Sequence, residues 1–377
     1  MSDPDVGRRR VDWLELFFDL VFVVILKQLT GLLHGQPGLG QFLEVVGLFA
    51  VVWIAWLNVT AFISRSAASP ADPRFAVLLS MAGFGLIAVS IPTAVTGGAP
   101  LFVVGLLIAR TALWPLWLKA SRGIPRGWIR VTAYGPGLAA LWLGSLVVPS
   151  GARPWVWLAL VAIDVAASAV GFTNASIEVS HMFERIGLFV MIVLGESLVE
   201  VILAVRSDQS ALAWAISAGA FAFICILWWQ YYQLGAPLTE RVLGRTSAPV
   251  LRDVVVLAHF LIVLGLVGIA GGLGSAIDHA DARSLPYGAA IALGAGLATY
   301  QLASVLISWR VGVKAVDVVL VAIPGAVVAA LFAVFGAVWP AWLDVAILLA
   351  AVTMNQIALP GIRRRFFAYS AAIRASE

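Results

Sequence analysis

Apolar residues fill this chain in runs of about 20, each closed by a short polar, glycine- or proline-containing break. The runs lie near 12–33, 41–63, 75–96, 100–119, 128–149, 154–173, 184–205, 211–233, 251–276, 286–308, 316–335 and 340–359. About 20 apolar residues is the length an α-helix needs to cross the hydrocarbon core of a bilayer, whereas barrel strands are shorter and alternate in polarity. The pattern predicts an all-α polytopic membrane protein with about twelve transmembrane helices.

Composition agrees. The 377 residues are 62% hydrophobic and only 12% charged, with a mean hydropathy of +0.99. A soluble domain carries about 25% charged residues, so a water-facing surface is ruled out. Twelve spans leave short connections and no room for a separate soluble catalytic or DNA-binding module. The first run lacks a cleavage site and is expected to stay as a helix. The single cysteine, Cys225, lies in an apolar run and forms no internal disulfide.

A sequence pI of about 9.5 and a net charge of +4 would suit a nucleic-acid binder, but in a membrane protein basic excess records topology instead. With twelve spans, 19 of the 24 Lys and Arg residues fall on the side of both termini. Arg153, Arg206 and Arg283 fall on the other, and Lys27 and Arg110 lie within spans. Both termini are therefore expected to be cytoplasmic, with the lipid bilayer as partner and no nucleic acid.

The chain also reads as duplicated. Residues 15–27 (ELFFDLVFVVILK) align without gaps on 184–196 (ERIGLFVMIVLGE), and the following span of each carries a tryptophan pair, Trp53/Trp56 and Trp228/Trp229. Two parallel six-helix repeats, 1–173 and 174–377, are expected, since six is even and the halves then enter the membrane from one side. In that alignment Lys27 faces Glu196, and the two are expected to pair at similar depth.

Ionisable groups within spans are the main clue to function, because each costs roughly 2.5–3.5 kcal/mol even on insertion scales. The first span holds Glu15 and Asp19, four apart on one face, with Lys27 two turns on. The seventh holds Arg185, Glu196 and Glu200 on one stripe. Arg110 and Asp164 sit near the centres of the fourth and sixth spans, and His259 lies in the ninth. These groups are either structural ion pairs that fix helix register or sites where protons or cations are handled. The acids of spans one and seven outnumber Lys27 and Arg185, which favours the second role there; Arg110 and Asp164 suit the first. Glu178-x-x-His181, with Glu184, has a spacing that can hold a transition metal, although such sets are more often solvated salt bridges. No phosphate-binding, dinucleotide-binding or nucleophile-elbow motif is present, which leaves the cofactor unknown.

The two charged motifs, WLELFFDLVFV from Trp13 and HMFERIGLFVMIVLGES from His181, resemble the bacterial low temperature requirement protein A (LtrA) family, over the whole chain. The resemblance implies a bacterial inner-membrane protein in which Glu15, Asp19, His181, Glu184, Arg185, Glu196 and Ser197 are the characteristic polar positions. Trp53, Trp56 and Asn58 match its second-helix pattern. Two departures stand out: 64–72 lacks the family's Asp-rich stretch, and Trp228–Gln233 lacks its usual acid. The family implies no chemistry. The residues favour a proton-coupled or cation-dependent transporter of a small molecule, with an intramembrane enzyme acting on a lipophilic substrate by acid or metal catalysis as the alternative.

Overall fold

The computed structural model describes residues 12–64, 72–173, 179–235, 253–310 and 315–356, which form helices and turns without strands. In chain order the helices are α1 (Trp13–Leu32), α2 (Leu39–Ile63), α3 (Arg74–Ser90), α4 (Ala99–Thr111), α5 (Trp114–Ala120), α6 (Gly127–Thr132) and α7 (Leu138–Gly144). They continue with α8 (Arg153–Thr173), α9 (Val179–Ala204), α10 (Ala211–Trp229), α11 (His259–Asp278), α12 (Tyr287–Arg310), α13 (Ala315–Phe335) and α14 (Ala341–Gln356).

Seven helical stretches among the described residues are long and apolar enough to cross a membrane. They are Leu39–Ile63, Arg74–Thr93, Ala99–Ala120, Ser180–Ala204, Ala211–Gln233, His259–Asp278 and Tyr287–Arg310. The expected twelve are not all among these, and three of the remaining expected segments show why. Helix α1 has the length but carries Glu15, Asp19 and Lys27 within 20 residues. The run expected at 128–149 is interrupted: between α6 and α7 the chain widens into a π turn at Ala133–Gly137, built around Pro136, whose missing N–H breaks the ordinary ladder. The described part of α14 is 16 residues long.

Two compact units divide the chain: residues 1–29 with 43–189, and 30–42 with 190–377. The division runs through α1 and α9. In the first unit α2 is buried along most of its length, including Trp53 and Trp56, as suits a helix apolar all round. An aromatic core of Phe22, Phe84, Phe189, Trp53 and Trp56 packs there with ring centroids 4.7–5.5 Å apart. In the second unit α11 plays the corresponding part, buried on nearly every residue from Gly265 to Ile277.

Candidate functional site

Glu15 and Asp19 are one helical turn apart on α1, and His181 and Arg185 are one turn apart on α9. Each pair therefore lies on one face, with the same rise of roughly 6 Å between its members. The first unit brings the two pairs together. The Arg185 guanidinium donates to Asp19 Oδ1 at 2.9 Å and to Glu15 Oε2 at 3.4 Å. His181 Nε2 lies 3.2 Å from the same Glu15 oxygen. All four residues are sealed from solvent, with exposures of 2% for each acid, 1% for His181 and 0% for Arg185.

Helix α2 and the residue that follows it complete the site with two neutral groups. The Trp56 indole N–H donates to Asp19 Oδ1 at 3.1 Å, and Ser64 Oγ is 2.9 Å from His181 Nδ1. The Arg185 guanidinium also lies 5.9 Å from the ring centroid of Phe18, which packs on Phe22 and Phe84 of the aromatic core. The cluster holds two carboxylates against one guanidinium and one imidazole, so it is neutral when the imidazole carries a proton and singly negative when it does not. Glu15 Oε1 and Asp19 Oδ2 are buried with no hydrogen-bond partner among the described residues.

Other residues expected at a site take separate places. Arg110 and Asp164 form a two-pronged ion pair: Nη1 meets Oδ2 and Nη2 meets Oδ1. Nη2 also donates to the Tyr134 carbonyl in the π turn at 3.1 Å, which accounts for this buried cation by local partners alone. Glu196, Ser197 and Glu200 are buried in the second unit, where the Ser197 hydroxyl bonds back to the Val193 carbonyl and Thr30 Oγ1 donates to Glu200 at 3.5 Å. Lys27 belongs to the first unit and is half-buried. His259 turns Nδ1 to the Val254 carbonyl at 2.7 Å.

For the metal set, Glu178 lies outside the described residues. His181 and Glu184 diverge, since the imidazole is buried against Ser64 and Glu15 while Glu184 is exposed. Among the described residues no three His, Cys, Asp or Glu side chains gather as metal ligands. Ser64 and the hydrogen bond of Trp56 were not legible as parts of one site, because they come from a third helix. The one signal for His181 was its four-residue spacing from Arg185, matching that of Glu15 and Asp19.

Apolar helices of spanning length, with buried charge clusters inside them, define a multi-pass membrane protein. The profile described as bacterial low temperature requirement A protein (LtrA) matches residues 10–365, and the chain belongs to that family. An uncharacterized protein of Rhizobium meliloti (strain 1021) is 26% identical over 292 residues, covering 72% of this chain and 69% of the relative. No solved structure matches.

Proposed function

We propose that this protein is a proton-coupled or cation-dependent transporter of the bacterial inner membrane, and that the Glu15–Asp19–His181–Arg185 cluster is where the proton or cation is handled. The observation that carries this reading is the charge count of the cluster. One exchangeable proton separates its neutral from its charged form, and two carboxylate oxygens have no hydrogen-bond partner among the described residues. Ionisable groups in a membrane interior are costly and typically mark ion pathways or proton relays. A purely structural lock would need only the balanced pairing that Arg110 and Asp164 achieve.

The same reading takes the protein as twelve spans in two parallel six-helix repeats, 1–173 and 174–377, with both termini cytoplasmic. Its support is a shared local geometry. In the first unit Gly83 of α3 and Gly105 of α4 approach so closely that a Cβ on Gly83 would lie 2.6 Å from the Gly105 carbonyl, and one on Gly105 2.9 Å from the Ile87 amide. In the second, a Cβ on Gly265 of α11 would lie 2.6 Å from the Gly296 carbonyl, and one on Gly296 2.9 Å from the Ile269 amide. In both pairs the isoleucine stands four residues after the first glycine. Five residues after the second glycine stands a buried polar residue, Arg110 or Gln301. Each of these meets a Pro-Gly segment of the next long helical stretch: Arg110 at Tyr134, two residues before Pro136, and Gln301 at Gly325, just after Pro324. These are the third, fourth and fifth members of each proposed half.

The test is proton flux into liposomes holding the purified protein and an entrapped pH-sensitive dye, driven by a membrane potential and screened with small organic and inorganic cations. Asp19→Asn and Glu15→Gln keep side-chain shape and should reduce flux at least about tenfold, and Glu196→Gln should also lower it. Equal flux in wild type and in folded Asp19→Asn and Glu15→Gln proteins would remove the cluster from the mechanism.

A further inference from the structure

A second group of titratable side chains lies in the second unit, at the end of α1. His34 follows the last turn of α1, and its Nε2 is 2.9 Å from Asp278 Oδ2 at the end of α11. Both side chains are open to solvent, at 38% and 44% exposure. The other ring nitrogen lies beside the backbone of α11 at Gly274. A Cβ placed on Gly274 would lie 3.1 Å from His34 Nδ1 and 3.5 Å from Glu200 Oε2, so the imidazole and the buried carboxylate flank a single point over a bare stretch of backbone. The chain around His34 is pinned: the Gly35 amide donates to Ser275 Oγ at 2.8 Å, and Ser275 is fully buried. Thr30 Oγ1 donates to Glu200 Oε1 at 3.5 Å, and Oε2 is the oxygen near Gly274.

We infer that His34 is a proton relay between the exposed Asp278 and the buried Glu200, with Gly274 as the gap through which the two inner groups meet. A side chain that merely tied α1 to α11 needs one nitrogen at Asp278. Here the second nitrogen and a buried carboxylate oxygen border the same Gly274 position, and a group near each nitrogen is the placement that suits imidazole as a shuttle. The step balances without any other reactant. With the proton on Nδ1, Nε2 takes a second proton delivered from solvent by Asp278, giving imidazolium. Nδ1 then gives its proton to the Glu200 carboxylate, and the ring is left neutral with the proton on Nε2. Reversal restores the first state, as does tautomerisation of the ring, in which Nε2 returns its proton to Asp278 and Nδ1 takes one up from water.

The groups facing the ring are few. From α11 it is Asp278; the adjacent His279 turns its own Nδ1 back to the Ser275 carbonyl at 2.8 Å. From α9 it is Glu200, with Glu196 one turn earlier on that helix, and α12 opens with the exposed Tyr287. This relay stands apart from the Glu15–Arg185 cluster and holds whether or not that cluster moves protons.

The experiment is infrared difference spectroscopy on the purified full-length protein in lipid nanodiscs after a pH jump. The carboxylic C=O band that disappears in Glu200→Gln reports Glu200. In His34→Ala the amplitude of that band should persist while its response slows about a hundredfold, the scale of a lost positioned acid–base group. Free imidazole in the buffer should restore the rate. Gly274→Val, which fills the gap and keeps His34, should slow the response as well. The inference is overturned by a Glu200 band that responds as fast in His34→Ala as in wild type. It is overturned equally by a slowing that imidazole does not rescue, or by the absence of any Glu200 band between pH 5 and 9.

Discussion

Arg185 is fully enclosed, and its charge is met by two carboxylates. Removing one partner from such a cluster leaves the others as uncompensated buried charges, which typically costs 3–5 kcal/mol. Arg185→Met should therefore lower the unfolding temperature in detergent strongly. The triple variant Arg185→Met, Glu15→Gln, Asp19→Asn should recover most of the loss, because neutral groups of similar volume no longer require a counter-charge. Trp56→Phe keeps the aromatic packing and removes one donor to Asp19, so a smaller loss of about 1.5–3 kcal/mol is expected in the same assay. The acids of this site were legible from their four-residue spacing within an apolar run. The role of His181 was not, because Glu178 and Glu184 are nearer in sequence than Glu15. On a helix, three residues advance about 300° and four about 400°, so Glu184 and Arg185 fall on opposite sides of His181. Only the neighbouring helices determine which side is the inside.

At the scale of elements, the α3–α4 and α11–α12 pairs are held by backbone approach rather than by interlocked side chains. Lipid tails are as apolar as leucine, so helices in a membrane gain little from hiding apolar surface and gain more from close packing at small residues. Gly83→Val places methyl groups against a carbonyl that cannot move without its helix, and should destabilise by more than the 1–3 kcal/mol usual for an overfilled core. Gly85, two residues on, has open space where its Cβ would be, so Gly85→Ala should be close to neutral. Thermal unfolding of the two variants side by side checks this, and Gly265→Val should repeat the Gly83→Val result if the halves are duplicates. Hydrophobic pattern located the helices well. It did not reveal the π turn at Ala133–Gly137: Gly135-Pro136-Gly137 lies within the run expected at 128–149, and its effect depends on which carbonyls find other donors.

For the whole molecule, orientation can be read with cysteines. Cys225 is the single native thiol; its side chain is exposed within an apolar span, on a surface expected to meet lipid. A Cys225→Ser background carrying Arg122→Cys should be labelled by a membrane-impermeant maleimide only after the cytoplasmic face is opened. Arg206→Cys should be labelled from outside in intact cells; the reverse pattern would invert the topology. Trp13, Trp128, Trp155 and Trp309, all near helix ends, are more than 60% exposed, as interfacial anchors should be. Composition and periodicity were enough to determine the class, the approximate helix positions and the acids at issue, because spanning a bilayer imposes length and apolarity locally, on each segment by itself. Partners were a different matter. That Arg185 meets Glu15 and Asp19, that Trp56 and Ser64 join them, and that His34 meets Asp278 depend on contacts among residues as much as 244 positions apart. Those contacts are set by how helices pack, which no single segment encodes.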